Sequence, residues 1–138
     1  MSEKNIQVAK DIYAAFTRGD VPGIMQHLSD DLLGFGILTE KPLIPWHVQA
    51  HRKQDVPRFF QAIGESAEVT NFKSQHFAAG GDHVYCTVGF DVKFKNSGQR
   101  LSVANSLQRF TFKDGKVVEW RGSEDTARMS AAYNAVSA

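Results

Sequence analysis

Two histidines spaced four residues apart, His47 and His51, are the first candidates for chemistry in the sequence. On a helix this spacing places two imidazoles on one face, as in a zinc site. The Glu of a His-Glu-x-x-His zinc site is replaced by Val48, and Pro45 argues against a helix here. The sequence therefore predicts no metal site. A general acid or base beside Trp46 is the functional reading of His47, and a partly exposed loop histidine is the alternative.

Gln108 is the second candidate, because the strand pattern places it among apolar neighbours. Its amide both donates and accepts hydrogen bonds, so it is able to orient a carbonyl or hydroxyl group, but it does not transfer protons near neutral pH. An amide at the pocket rim, paired with backbone, is the alternative. His47 and Gln108 are thus the two candidate catalytic residues.

Composition excludes several other classes of site. Cys86 is the only cysteine, which excludes an intramolecular disulfide and a thiolate metal cluster, and its apolar neighbours predict a buried, inert thiol. Sixteen Lys and Arg residues against fifteen Asp and Glu give a net charge of +1, so no nucleic-acid partner is expected. The Gly80-Gly81 pair is not a phosphate-binding motif, and no cofactor is expected.

A length of 138 residues, with 42% hydrophobic and 22% charged residues, is typical of one globular domain. The first five residues lack the apolar core of a signal peptide, and no apolar run approaches the length needed to span a membrane. From these features we expect a cytoplasmic protein without a membrane partner.

Helical spacing of apolar residues predicts three helices in the first half of the chain. The first ends at Gly19, and a second, short helix has Pro22 in its first turn and extends its buried side to Leu28. The third lies within residues 54–64 and begins near Asp55, since proline at position 57 is tolerated only in a first turn. An alanine-rich segment, residues 126–133, predicts a C-terminal helix.

The strand period of two dominates after residue 69. Alternation is clearest in residues 84–94, and two turns, at residues 96–98 and 113–116, separate it from strands at residues 100–112 and 117–121. An earlier apolar run, residues 32–39, contains two glycines and predicts a strand in close contact with other backbone, or a bulge.

This order of elements predicts an α+β fold. We expect a cone-shaped, curved, mostly antiparallel sheet wrapped around three N-terminal-side helices, followed by a short C-terminal helix. Such a cone has an apolar mouth and is a natural pocket for a small molecule. Ten phenylalanines, three tyrosines and two tryptophans fit either a heavy core or a pocket lined with rings.

Three stretches of the chain resemble the nuclear-transport-factor-two-like superfamily, and within it the SnoaL-like, ketosteroid-isomerase-related branch. They are IYAAFTRGDVPGIMQHLSDDL (12–32), VPRFFQAI (56–63) after the Pro45-Trp46 pair, and FTFKDGKVVEWRGSEDTA (110–127). The resemblance implies that residues 1–138 form a single SnoaL-like domain, a cystatin-like roll. Because the superfamily includes isomerases, cyclases, epoxide hydrolases, dehydratases and non-catalytic binders, it implies a fold rather than one activity.

Catalytic positions of the ketosteroid isomerases are not matched. Those enzymes use an Asp base with a Tyr and a protonated Asp that hold the oxyanion. In this sequence the resemblance places the three positions on Ile12, near Gly36 and on Gln108. Tyr13 is predicted to point about 100° away from Ile12, and hence away from the pocket. Steroid isomerisation by that route is not expected.

An Asp-Arg-Asp hydrolase site is not supported either. Asp91 is the only carboxylate in the two long strands, and both it and Arg109 alternate out of phase with the pocket residues. Glu124 and Asp125 follow the last strand, where the resemblance places them near the mouth. A helix cap at Asp125 or Thr126 is the simpler account.

The predicted ligand pocket is lined by apolar side chains of the helices, the long loop and the strands. They are Ile12, Phe16, Phe35, Trp46, Phe60, Val88, Phe90, Phe110 and Trp120. For the aromatic members, plain packing between helix and sheet is the alternative to ligand contact.

The leading hypothesis is therefore a protein that binds a small apolar molecule. As an enzyme it would be a cofactor-free acid–base isomerase, cyclase or hydratase of a small apolar or carbonyl compound, with His47 carrying the proton and Gln108 orienting the oxygen. The alternative is a non-catalytic ligand-binding or protein-interaction module of the same fold, favoured by the missing acid–base pair. A homodimer is expected through the outer sheet face, with Tyr85, Leu107 and their neighbours Thr87, Asn105 and Arg109.

Overall fold

A computed structural model describes residues 2–135 of the chain. The helices in this range are α1 (Ser2–Thr17), α2 (Val21–Met25), α3 (Val56–Ser66) and α4 (Thr126–Asn134), with a 3₁₀ turn at Lys53–Asp55. The strands are β1 (Gly34–Ile37), β2 (Ala67–Gly80), β3 (His83–Phe94), β4 (Arg100–Lys113) and β5 (Lys116–Gly122). Within the described range, no helix is long and apolar enough to span a membrane.

One five-stranded sheet in the order β1-β5-β4-β3-β2 forms the body of the fold. β1 runs parallel to β5, and every other neighbouring pair is antiparallel. The sheet curves without closing, and buried side chains of α1 and α3 pack with it in one hydrophobic core. The predicted α+β cone is confirmed.

Local sequence features mark where the later helices begin. Asp55 occupies the N-cap position of α3 without a side-chain capping hydrogen bond, and proline lies within the first two positions of the helix, as the sequence predicts. Asp125 caps α4 by accepting a hydrogen bond from the backbone N–H of Arg128 at 3.1 Å. The second helix is shorter than its apolar pattern indicates: α2 ends at Met25, and Leu28 is buried outside it, in a bridge with Val117.

A side chain on either glycine of β1 would force a neighbouring group to move. A Cβ on Gly34 would come within 2.3 Å of the Arg121 guanidinium, and one on Gly36 within 2.9 Å of the Val48 carbonyl oxygen. The expected close approach is therefore present, and it brings the loop after β1 against the sheet.

Three of the four register shifts in the described sheet contain a residue with a positive φ. Two lie on the edge strand β2, between Thr70 and Lys73 and between Gln75 and Ala78. In each, a non-glycine residue has a positive φ: Asn71 at 53° and His76 at 59°. A third, at Asn105 on β4, has a φ of 57°. Bulges of this kind bend the strand and increase its twist, which curves the sheet around α1.

Candidate functional site

The cone contains an apolar cavity of about 90 Å³ between the sheet, α1 and α3. Aromatic and aliphatic side chains form almost all of its wall. Eight of the nine predicted apolar pocket residues lie in it: Ile12, Phe16, Phe35, Trp46, Phe60, Phe90, Phe110 and Trp120. Val88 does not line it; its side chain is buried in the core instead. The polar side chains in the wall are those of Tyr13, Gln108 and Glu124.

Glu124 brings a carboxylate into this apolar wall. Its side chain is 7% exposed, and each oxygen accepts one hydrogen bond. The Trp46 indole N–H donates to Oε2 at 3.0 Å, and His47 Nε2 lies 2.7 Å from Oε1. Burying a carboxylate is costly unless donors satisfy it, and these two donors reduce that cost while leaving other lone pairs free.

The proton positions on His47 follow from its two contacts. Its Nδ1 accepts the backbone N–H of Leu43 at 3.0 Å, so the proton of the neutral ring is on Nε2 and is donated to Glu124. The side chain is fully buried and lies behind Glu124 rather than in the cavity wall. The alternative of a partly exposed loop histidine is therefore wrong, because the loop folds inward against the sheet.

Local backbone contacts hold Glu124 in place. On its N-terminal side, the Ser123 N–H donates to the Leu107 carbonyl at 2.8 Å, and Ser106 Oγ donates to the Ser123 carbonyl at 2.6 Å. On its C-terminal side, Asp125 begins α4 as the cap residue. Glu124 also lines a second, more polar cavity of about 260 Å³ between β4 and α4. The residue therefore contributes to the walls of both an apolar and a polar cavity.

The second polar group of the wall is a pair formed by Tyr13 and Gln108. The Tyr13 hydroxyl donates to Gln108 Oε1, and Cys86 Sγ lies 3.5 Å from the same hydroxyl. Burial, followed by the neighbouring Cys86 thiol, raises the pKa of Tyr13 well above 10.0, whereas a hydrogen bond from Trp120 acts in the opposite direction. Burial also raises the pKa of Cys86. Both groups are therefore neutral hydrogen-bonding groups near pH 7.

Tyr13 corrects one sequence expectation directly. Predicted to point away from the pocket, it lines the cavity together with Ile12. An angle of about 100° between neighbouring helix positions still fits within the broad apolar stripe of a core-facing helix. The Tyr13 ring packs edge-on against Phe110, with centroids 5.6 Å apart, and this contact directs the hydroxyl toward β4.

Gln108 has one half of its amide free for a ligand. Its side chain is 8% exposed, and Oε1 is engaged by Tyr13. Within residues 2–135, its Nε2 makes no hydrogen bond. An amide N–H donor without a protein partner, in the wall of an apolar cavity, is suited to bind a carbonyl or hydroxyl oxygen.

Other candidate residues lie away from the cavity. His51 is exposed, and no cluster of three His, Cys, Asp or Glu side chains suited to a metal forms in the described part of the chain. Hydrogen bonds from Asn71 and Ser102 lower the pKa of Asp91 outside the cavity. Arg109 pairs with Glu119 at 2.6 Å, also outside it. Both Asp91 and Arg109 face away from the pocket, as predicted.

Sequence reasoning did not select Glu124 as a pocket group, because a residue in the short connection between a strand and a helix has no periodicity. One signal was available. Asp125 is sufficient to cap α4, so the glutamate before it is not needed for that role.

A carboxylate and an amide donor in one apolar cavity form a recognisable chemical arrangement. A carboxylate takes up a proton, and a neutral donor stabilises negative charge that develops on an oxygen. An apolar wall strengthens both interactions, because little water competes for them. These groups need no metal or organic cofactor to remove a proton next to a carbonyl group.

Comparisons with known proteins agree on the architecture. The sequence model of the SnoaL-like domain family matches residues 9–120. No curated protein sequence is significantly similar to the chain. Among solved structures, an NTF2-like protein of unknown function from Burkholderia pseudomallei is 21% identical with a TM-score of 0.85, covering 96% of this chain and 98% of that one.

Two further solved structures have names that mention a ligand or an activity. TerC, co-crystallised with polyporic acid, is 17% identical with a TM-score of 0.82, covering 96% of this chain and 99% of that one. An LEH-like epoxide hydrolase from M. tuberculosis is 14% identical with a TM-score of 0.72, covering 96% and 90%. At these identities, the likeness to solved structures shows a common fold and no common activity.

Proposed function

This chain belongs to the SnoaL-like domain family, with the NTF2-like fold, and we propose that its cavity removes a proton next to the carbonyl group of a small, largely apolar compound. Glu124 is the general base, and Gln108 binds the carbonyl oxygen. The reaction class is cofactor-free isomerisation or cyclisation through an enolate.

The observation that carries this proposal is the buried carboxylate of Glu124 in an otherwise apolar wall. A carboxylate used only for folding would be expected to pair with a cation, but Glu124 accepts its hydrogen bonds from neutral Trp46 and His47. Its negative charge is therefore held beside the cavity without a formal counter-ion. A carboxylate in the cavity wall is positioned to act as a general base toward a bound molecule.

The proton transfer balances without a further reactant. The C–H bond next to the carbonyl breaks and its proton goes to Glu124. The electron pair of that bond forms the C=C bond of the enolate, and the π pair of the carbonyl group moves to the oxygen. The Gln108 Nε2–H then donates to the enolate oxygen, while Tyr13 holds the amide by binding its Oε1. Where a C=C bond is conjugated with the enolate, return of the proton from Glu124 to the far carbon gives isomerisation. Attack of the enolate carbon on an internal carbonyl group, whose oxygen then takes the proton from Glu124, gives cyclisation.

His47 acts through Glu124 in this scheme and is a positioning residue. It lies behind the carboxylate and fixes the orientation of Oε1. The polar cavity that Glu124 also lines provides a route for proton exchange with solvent that does not require the ligand to leave.

Hydrogen–deuterium exchange of cyclohexanone in D₂O, followed by proton NMR, tests the base directly. We expect the protein to accelerate loss of the proton signals next to the carbonyl, and Glu124→Gln to reduce the enzymatic rate by about 10²- to 10⁴-fold. Glu68→Gln, at an exposed carboxylate of β2, is the matched control and should retain the rate.

Binding of phenol, a planar mimic of the enol, separates the two parts of the proposal. Isothermal titration should detect phenol binding that competes with cyclohexanone. Phenol binding without exchange would contradict proton transfer and favour the non-catalytic binding module. An absence of both would contradict the proposal as a whole.

We also propose that the outer face of the sheet pairs with a second copy of the chain. Tyr85 and Leu107 are 47% and 63% exposed there, beside the Arg109–Glu119 ion pair. An apolar centre with a polar surround is typical of a twofold interface. Sedimentation equilibrium at micromolar concentration should give twice the chain mass, and Leu107→Lys should give the chain mass; a monomer in both would contradict the proposal.

A further inference from the structure

The proposed ligand-binding role of the cavity leads to a second question, namely what limits the size of the ligand. We propose that Phe72, turned into the cavity mouth by a bulge in β2, sets the largest ligand that the cavity admits. This inference rests on ligand binding in the cavity, and it does not depend on proton transfer by Glu124.

The position of Phe72 departs from the strand period. Val69 and Phe72 are three residues apart, and both line the cavity. In a regular strand, residues three apart point to opposite faces. The pairing of β2 with β3 explains why both residues face inward. Thr70 pairs with Asp91 and Lys73 with Gly89, so two residues of β2 lie between these pairs.

A single residue of β3, Phe90, faces those two residues of β2. The first of the two, Asn71, has a φ of 53°, which an asparagine adopts more easily than most residues. It absorbs the extra length of β2, so that Phe72 returns to the inner face. Without this bulge, alternation from Val69 would turn Phe72 toward the outer face.

Hydrogen bonds on the outer face hold the bulge. Asn71 Nδ2 donates to Asp91 Oδ2 at 2.7 Å, and Ser102 Oγ donates to Asp91 Oδ1, also at 2.7 Å. The carboxylate thus links β2, β3 and β4 at one level of the sheet. Asn71 is a positioning residue for Phe72 by this contact.

Phe72 extends from the buried Tyr13, with ring centroids 5.5 Å apart, to the more open part of the wall. Its ring stacks on Phe90, with centroids 6.1 Å apart and an interplanar angle of 17°, and lies 5.1 Å from the ring of Phe16. All three side chains are half-buried, whereas deeper wall residues such as Phe110 and Trp120 are buried. Phe72 is therefore in the partly open part of the wall.

The small volume of the cavity explains why the Phe72 ring would limit the size of the ligand. Its volume of about 90 Å³ is smaller than the roughly 150 Å³ of an engineered cavity that accepts benzene. A one-ring ligand therefore fills the chamber and reaches the mouth. A ligand with two fused rings needs the space that the Phe72 ring occupies.

The second bulge of β2 provides a matched control. His76, with a φ of 59°, precedes Phe77, and His76 Nδ1 lies 2.8 Å from Thr87 Oγ1. Phe77 is half-buried like Phe72, but it lies outside the cavity wall, with the Lys10 ammonium 5.3 Å from its ring centroid. The two phenylalanines share strand, bulge type and burial, and differ in contact with the cavity.

The test compares phenol with 2-naphthol by isothermal titration. In the wild-type chain we expect phenol to bind more tightly. Phe72→Ala should raise the affinity for 2-naphthol relative to phenol by about tenfold or more, and Phe77→Ala should leave the ratio unchanged. Because the expected result is a gain for the larger ligand, loss of folded protein does not reproduce it. Phe72→Leu should move the ratio in the same direction by a smaller factor.

Two outcomes would overturn the inference. An unchanged ratio in Phe72→Ala, with phenol still bound, would exclude Phe72 as the size limit while leaving the proposed function intact. A failure of the wild-type chain to bind phenol would overturn both. A shifted ratio together with absent cyclohexanone exchange would support Phe72 and contradict only proton transfer.

Discussion

The two polar groups of the cavity wall are built in different ways. Gln108 lies in the regular part of β4, is neutral, and is held by one hydrogen bond from Tyr13. Glu124 lies between β5 and α4, carries the charge, and accepts hydrogen bonds from the loop residues Trp46 and His47. A strand therefore supplies the donor for an oxygen, and irregular backbone supplies the group that takes a proton.

Gln108 and Glu124 therefore depend on different parts of the fold for their positions. The position of Gln108 depends on the pairing of β4 with β3 and on the packing of α1 against the sheet. These contacts also build the core. The Glu124 side requires a loop held against the end of the sheet, and this loop also supplies the core residues Ile44, Trp46 and Ala50. Glu124 itself lies outside that cluster, so we expect changes confined to its carboxylate to alter the rate with small effects on stability, and changes at Tyr13 to alter both.

Among changes on the Gln108 side, replacing Gln108 with Leu gives the largest expected effect. The variant keeps similar volume but removes the donor to the enolate, so we expect the cyclohexanone exchange rate to fall about 100-fold, the usual cost of losing one such donor. The rate of cyclohexanone exchange in this variant, in which Glu124 is unchanged, measures the effect directly. A rate within twofold of the wild type would show that the oxygen binds elsewhere.

Raising the pH tests whether the Tyr13 side is a neutral cluster. The unfolded chain loses the tyrosine proton near pH 10, whereas the raised pKa keeps it on Tyr13 in the folded chain. The folded state then binds more protons, so the free energy of unfolding falls as the pH rises above 10, by up to about 1.4 kcal/mol per pH unit for one proton. Below pH 9 this contribution is fully present. The raised pKa of Cys86 acts in the same direction.

Urea unfolding at pH 8 and at pH 10.5 measures this effect. Tyr13→Phe should show a smaller loss of stability between the two pH values than the wild type, and Tyr85→Phe, at an exposed ring, should not. Equal losses in the wild type and in Tyr13→Phe would contradict a neutral, buried Tyr13.

Replacing His47 gives a smaller effect on the other side of the comparison. His47→Leu removes the donor to Glu124 Oε1, and we expect the exchange rate to fall about tenfold because the carboxylate loses its fixed orientation. His47→Gln, which retains an N–H donor, should restore part of the rate, while phenol affinity stays similar in both variants. If the exchange rate of His47→Gln does not exceed that of His47→Leu, the role of His47 is packing.

Periodicity predicted most of the fold. The alternation in β3 and β4 identified the strands, and Pro57 placed the start of α3, because each depends on contacts within a few residues. The bulges were missed: an extra residue such as Asn71 resets the alternation, and nothing in a single sequence distinguishes it from an ordinary outward-facing residue.

Site residues in regular helices and strands were likewise easier to predict than those in irregular backbone. Gln108 and most of the apolar wall were identified from strand and helix spacing, and Val88 was included although it packs in the core. The resemblance placed Glu124 near the mouth, but Glu124 was not chosen as a site residue, and the surroundings of His47 were not predicted. Both residues lie in irregular backbone, where position depends on tertiary contacts such as that between the Ser123 N–H and the Leu107 carbonyl.

The polar contacts of the cavity join residues that are far apart in the sequence. Trp46 and Glu124 are separated by 78 positions, and Tyr13 and Gln108 by 95. During synthesis from the N-terminus, β5 and Glu124 leave the ribosome after the other four strands of the sheet. A nascent chain therefore acquires the complete cavity wall only after Glu124 has emerged, and a ligand can stabilise this domain but no precursor that lacks β5.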